Sequence, residues 1–184
     1  DGAAYAITGS NGKVTIDKLT TSNVVLGNVN VSGGAFALSN SELAKTTSDS
    51  TDSVTGHNIK STGTAVVTLN KVDVLGTTEA AHAILAEGGD VVLNEVTIAD
   101  AGNAGIRVNE ETSTVTGKNV TIDTVSVDAV SVANGSVEID GLTTKAVKAA
   151  NIVAGTNDLN TGEATSGGTV KISNAELCKP TGDA

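Results

Sequence analysis

The chain reads as an all-β right-handed parallel β-helix, a solenoid with about 22–24 residues and three short strands per coil. Three observations predict it. One self-similar string recurs along the chain, the core candidates are nearly all aliphatic, and a residue that tolerates a left-handed backbone marks the same place in each repeat. The whole of 1–184 is taken as one domain, a length usual for a single unit. With aromatic residues at 1%, the core must be built from Val, Ala, Ile and Leu, which suits a narrow layered interior.

The string is apolar-x-apolar, two polar or turn residues, then apolar-x-apolar. It occurs in eight segments: VTIDKLTT (14–21), VVLGNVNV (24–31), VTGHNIKS (54–61), VTLNKVDV (67–74), VVLNEVTI (91–98), VTGKNVTI (115–122), VEIDGLTT (137–144) and VKISNAEL (170–177). Leu69, Leu93, Gly117 and Ile139 follow one another at 24, 24 and 22 residues, the length of one coil. The central pair of each string contains Asn, Asp or Gly, which lets the chain bend sharply between two strands. The bend positions are therefore Asn28, Asn58, Asn70, Asn94, Asn119, Asp140, Gly141 and Asn174. Stacked coils place Leu69 over Leu93, Val72 over Val96 over Val120, and Val74 over Ile98 over Ile122, as inward files of a parallel sheet. Side-chain amides at the bends, Asn70 and Asn94 first, are expected to bond from coil to coil.

Between these strings a small residue leads a short alternating run: Ala83–Ala86, Gly105–Val108, Ala129–Val132 and, by the same pattern, Ala35–Leu38. Alternation sends Ile106 and Val108 to one side and Arg107 to the other. Two stretches break the period. Residues 39–53 and 155–168 are rich in Ser, Thr, Gly, Asn and Asp and read as protruding loops. The strings at 14 and 24, and those at 54 and 67, lie too close together for full coils, so one of each pair belongs on another side. A β-sandwich is the alternative for many short strands, but it does not require similarity at 24 residues.

Stretches such as AVSVANGSVEIDGLT (129–143), AILAEGGDVVLNEVTI (83–98) and GIRVNEETSTVTGKNVTI (105–122) resemble the passenger domains of pertactin-like autotransporters, over roughly residues 4–178. Gly33-Gly34-Ala35-Phe36 also resembles the GGA motif of polymorphic outer membrane proteins; it occurs once, and Asn40 stands four positions after Phe36 where that family has Asn three on. The resemblance implies a right-handed β-helix displayed outside the cell. It specifies architecture more than activity.

The functional expectation is a non-catalytic extracellular structural or adhesive solenoid, a cell-surface stalk or fibre subunit. Its ends offer strand edges for self-association, and a cell-surface or glycan ligand is a further expected partner. A net charge of -10 with Arg107 as the sole Arg argues against nucleic acid, and no apolar run is long enough to insert in a membrane. The start DGAAYAIT, without Met, reads as a processed product. No catalytic residue, metal or cofactor is expected. The first alternative is a carbohydrate-active enzyme using Asp73, Asp90, Glu95, Asp123 or Glu138, disfavoured by the lack of aromatic platforms. The second is a repetitive-surface binder of ice or polysaccharide, built on Thr68, Thr97 and Thr121, where only Thr97 and Thr121 share a file. His57 and His82 sit in different contexts and do not read as ligands, and Cys178 reads as a small residue near a strand end.

Overall fold

The structure, a computed structural model, describes residues 5–47, 56–78, 81–157 and 164–182. It is all-β, a parallel β-solenoid of about six turns. Strands are numbered in chain order. Sheet A stacks the short strands β1 (Tyr5–Gly9), β3 (Gly27–Val31), β5 (Ile59–Thr62), β7 (Ile84–Glu87), β9 (Ile106–Val108), β11 (Asp128–Val132) and β13 (Ala150–Ala154). Sheet B stacks β2 (Lys13–Asp17), β4 (Ala35–Leu43), β6 (Val66–Val74), β8 (Asp90–Ile98), β10 (Thr114–Val125), β12 (Gly135–Val147) and β16 (Gly168–Ser173). The remaining strands, β14 (Thr156–Asn157) and β15 (Ala164–Ser166), pair antiparallel.

The inner strands of sheet B, β4, β6, β8, β10 and β12, are long because each folds in the middle without leaving the ladder, while β2 and β16 stop just before the same position. The hinge is one residue of positive φ per coil: Lys18, Asn40, Lys71, Glu95, Asn119, Gly141 and Asn174. Such a residue reverses the pleat locally, so Leu69 and Val72, both at 0% exposure, point inward on either side of Asn70-Lys71. Each coil thus has three extended legs, one in sheet A and two in sheet B. Partners Ile16, Leu38, Leu69, Leu93, Gly117, Ile139 and Ile172 succeed one another at 22, 31, 24, 24, 22 and 33 residues. The 31- and 33-residue steps contain the two loop stretches.

The core is a column of files. Val72, Val96 and Val120 pair in order, as do Val74, Ile98 and Ile122, and Leu69 pairs with Leu93; all are buried. Gly117 interrupts the leucine file because its place is filled from the sides. A Cβ there would stand 2.9 Å from Val120 Cγ2 and 3.0 Å from Ile139 Cγ1. Polar bend residues close their own bonds between coils. Asn94 Nδ2 donates to Asn70 Oδ1 at 2.6 Å, and Asn174 Nδ2 donates to Asp140 Oδ1 at 2.6 Å. That bond, with the one from Ser173, holds the Asp140 carboxyl below the usual carboxylate range.

The structure corrects the sequence reading in several places. Asn28 and Asn58 are not bends: they sit at or beside the starts of β3 and β5, buried, with Asn28 Nδ2 donating to Asn58 Oδ1 at 2.8 Å. Each string ends in a sheet A strand with the Asn at or beside its start, which copies the local pattern of a bend. Ala35–Leu38 is not a short alternating strand but the first leg of β4, and its missed hinge is Asn40. Ser39–Leu43, expected to begin a loop, therefore continues β4 through the hinge, with Ser41–Leu43 as its second leg; residues 48–53 of that stretch lie outside the described residues. In the second stretch β14 and β15 form the base of a hairpin and Gly168 begins β16, while 158–163 lie outside the described residues. At Asn70 and Asn94 the left-handed residue is the next one, Lys71 and Glu95.

Candidate functional site

The outer face of sheet A carries a groove along the solenoid axis. Period-2 alternation sends every second side chain outward, and the parallel register superposes one file of them: Thr8 and Asn30, Asn30 and Lys60, Lys60 and Leu85, Leu85 and Arg107, Arg107 and Ser131. Two cavities lie over this file, of about 400 Å³ beside Thr8, Asn30 and Thr62 and about 380 Å³ over Leu85, Arg107 and Ser131. Lys60 borders both and joins them into one track.

The groove floor is unusually withdrawn for an outward face. Leu85 is only 2% exposed between the stems of Lys60 and Arg107, and the Lys60 side chain is 11% exposed. Lys60 Nζ pairs with Glu87 Oε2 at 2.9 Å. Arg107 Nε donates to Asn109 Oδ1 at 2.5 Å and Nη1 to Ser131 Oγ at 2.6 Å. Burial draws the Arg107 guanidinium below its ordinary value, with Asp128 opposing, and burial pushes the Asp128 carboxyl up against the backbone N–H of Ala150 and the charge of Arg107.

His82 forms one wall, and it stacks on His57 with ring centroids 5.1 Å apart and planes 2° from parallel. The two histidines share one file, contrary to the separate contexts expected from sequence. The backbone N–H of His82 donates to His57 Nδ1 at 2.9 Å, and that of Ala104 to His82 Nδ1 at 3.2 Å. Each Nδ1 thereby acts as an acceptor, so the proton of the neutral ring sits on Nε2. Burial first, then the charges of His57 and Arg107, lowers His82 to about 3.

The candidate carboxylates are not brought together. Asp90 caps the backbone N–H of Thr114 at 2.9 Å, Asp123 pairs with Lys145 at 3.2 Å, and Glu138 pairs with Lys171. Glu95 is a hinge residue 4.0 Å from Lys71, and Asp73 lies beside Glu42 and Thr97 on the second leg. None borders the sheet A groove. Among the described residues no group of three or more His, Cys, Asp and Glu is arranged to hold a metal.

Thr97 and Thr121 stack as expected and Thr143 extends the file to three, while Thr68 lies on the other leg between Ala37 and Val92. Cys178 is half-buried; its N–H donates to Thr144 Oγ1 at 2.9 Å and its carbonyl accepts from Asn151 Nδ2 at 2.7 Å. Ala44 makes the same pair of contacts with Thr21 and Asn28 near the other end. Lys60 and Arg107 were the groove residues that composition alone did not single out as a site. Comparison of the chain with protein-family models, with curated proteins and with solved structures gives no match.

Proposed function

We propose that this chain is a non-catalytic structural element of the extracellular surface, a stalk or fibre subunit of the pertactin-like kind, whose copies associate end to end. The observation that carries the reading is the match between the two outermost coils. At one end Val14 is 42% exposed and Ile7 and Ile16 are half-buried; at the other Val170 and Ile172 are half-buried and Leu177 is 45% exposed. The interior files already run Ile16 to Leu38 and Ile139 to Ile172 in register. A second copy seated on β16 places its Val14 and Ile16 over Val170 and Ile172, its Asp17 over Ser173 and its Lys18 over Asn174. Its β1 then meets β13, and the edges of both sheets that are unpaired among the described residues gain partners.

Electron microscopy and solution mass of the purified chain test this. Seven stacked strands per sheet at about 4.8 Å give filaments with a subunit rise of roughly 34 Å. Ile16→Asp together with Ile172→Asp is expected to abolish filaments and leave folded monomers. Monomers of the wild type at high concentration would refute end-to-end association.

A further inference from the structure

The groove over sheet A, independent of whether copies stack, has the chemistry of a ligand site. Arg107 is the sole Arg of the chain and, among the described residues, it makes no ion pair. Of its five N–H donors two are used, by Asn109 and Ser131, both neutral and both on the groove. These bonds fix the plane of the guanidinium, and among the described residues the other three N–H donors, one on Nη1 and two on Nη2, have no hydrogen-bond partner. A half-buried cation oriented by neutral groups, on the lining of a cavity of about 380 Å³, is prepared for an acceptor from outside.

The remaining lining narrows the ligand. Lys60 is already paired with Glu87 whereas Arg107, with Asp128 nearby, is not in an ion pair, so a single planar negative charge suits Arg107 better than a doubly charged phosphate, which Glu87 and Asp128 also repel. Asn103, Asn109, the Nε2–H of His82 and the Glu87 carboxylate offer both donors and acceptors, as vicinal hydroxyls require. A peptide is poorly served. Leu85, the one apolar lining residue, is 2% exposed, and β7, β9 and β11 are paired on both edges, leaving no backbone for strand addition. The neighbouring cavity continues past Lys60 with Thr8, Asn30 and Thr62, which extends the polar track for a chain of sugars.

We propose that this groove binds a carboxylated glycan, with a uronate carboxylate on Arg107 and the hydroxyls of the same sugar on Asn103, Asn109 and Glu87. No bond is made or broken. The test is titration of the full chain, by calorimetry and by amide shifts, with a β-1,4-linked triglucuronate, with cellotriose as its neutral counterpart, and with acetylated triglutamate. The triglucuronate is expected to bind about tenfold or more tightly than either control, with shifts concentrated on β7, β9 and β11. Arg107→Gln is expected to remove that preference, and Arg107→Lys to restore it only in part, because a point charge lacks the fork. Shifts mapping to β7, β9 and β11 in the wild type test the location even if a variant fails to fold. Absent binding of triglucuronate, equal binding of cellotriose or triglutamate, shifts mapping elsewhere, or an unchanged preference in a folded Arg107→Gln variant would each overturn the proposal.

Discussion

Replacing His82 by Ala is expected to flatten the acid sensitivity of this solenoid. In the fold His82 is walled by His57, accepts a bond from Ala104 N–H, and is lowered to about 3 from an ordinary value of 6.5. An unfolded chain takes up a proton at this ring near 6.5, while the folded chain does so only near 3. Stability from the neutral ring is therefore complete above about 6.5 and is lost as pH falls through 6.5 toward 3. Linkage gives a loss of roughly 2 kcal/mol between pH 7 and pH 5, approaching on the order of 5 kcal/mol once pH is below 3. Ala is the apt replacement because Ala104 occupies the next place in the same file. At pH 7 the variant is expected to be less stable by about 1–3 kcal/mol, through the unanswered Ala104 N–H. The assay is urea unfolding followed by circular dichroism at a series of pH values from 7 to 4, for wild type and variant. Carboxylate titrations common to both cancel in the difference, so the gap should close by roughly 2 kcal/mol at pH 5. A gap constant over the whole range would refute the argument that a neutral buried ring is what the fold requires.

Two further outcomes follow from the coils. Glu95 holds φ 53 at a hinge where Gly141 serves two coils later, so Glu95→Gly is expected to stabilise by roughly 0.5–1 kcal/mol, and Gly141→Val to destabilise; thermal unfolding reads both, and a lower Tm for Glu95→Gly refutes the strain argument. Leu93→Asp places an unpaired carboxylate inside the column and is expected to cost more than about 4 kcal/mol, whereas Leu85→Asp faces outward between Lys60 and Arg107 and is expected to cost about 2 kcal/mol or less; equal losses in denaturant titrations would contradict the inward and outward assignment.

The errors of the sequence reading share one cause. VVLGNVNV and VTLNKVDV are nearly the same string, yet the first ends in a straight strand of sheet A and the second folds at Lys71. Locally both present alternating apolar residues around an Asn, and nothing within eight residues separates them. Pairing does: Val29 meets Ile59 on sheet A, whereas Leu69 meets Leu93 on sheet B. Ala35–Leu38 failed for the converse reason, since Ser41 replaces the apolar residue expected after the hinge at Asn40.

What the sequence by itself determined was the class of fold and the inward faces of the regular coils. Alternation assigns each side chain to a face, and a 24-residue step repeats that assignment, so Leu69, Val72, Val74 and their successors were legible without coordinates. Tertiary structure alone decided the stacking of His57 on His82 and the assembly of Lys60, Leu85, Arg107 and Ser131 into one file. Outward residues carry no pattern to read, and their alignment depends on steps of 25, 22 and 24 residues being absorbed in the turns so that the register holds. Hydrophobic burial chooses the side of a strand locally, but which coil's side chain stands next to which is set by long-range pairing.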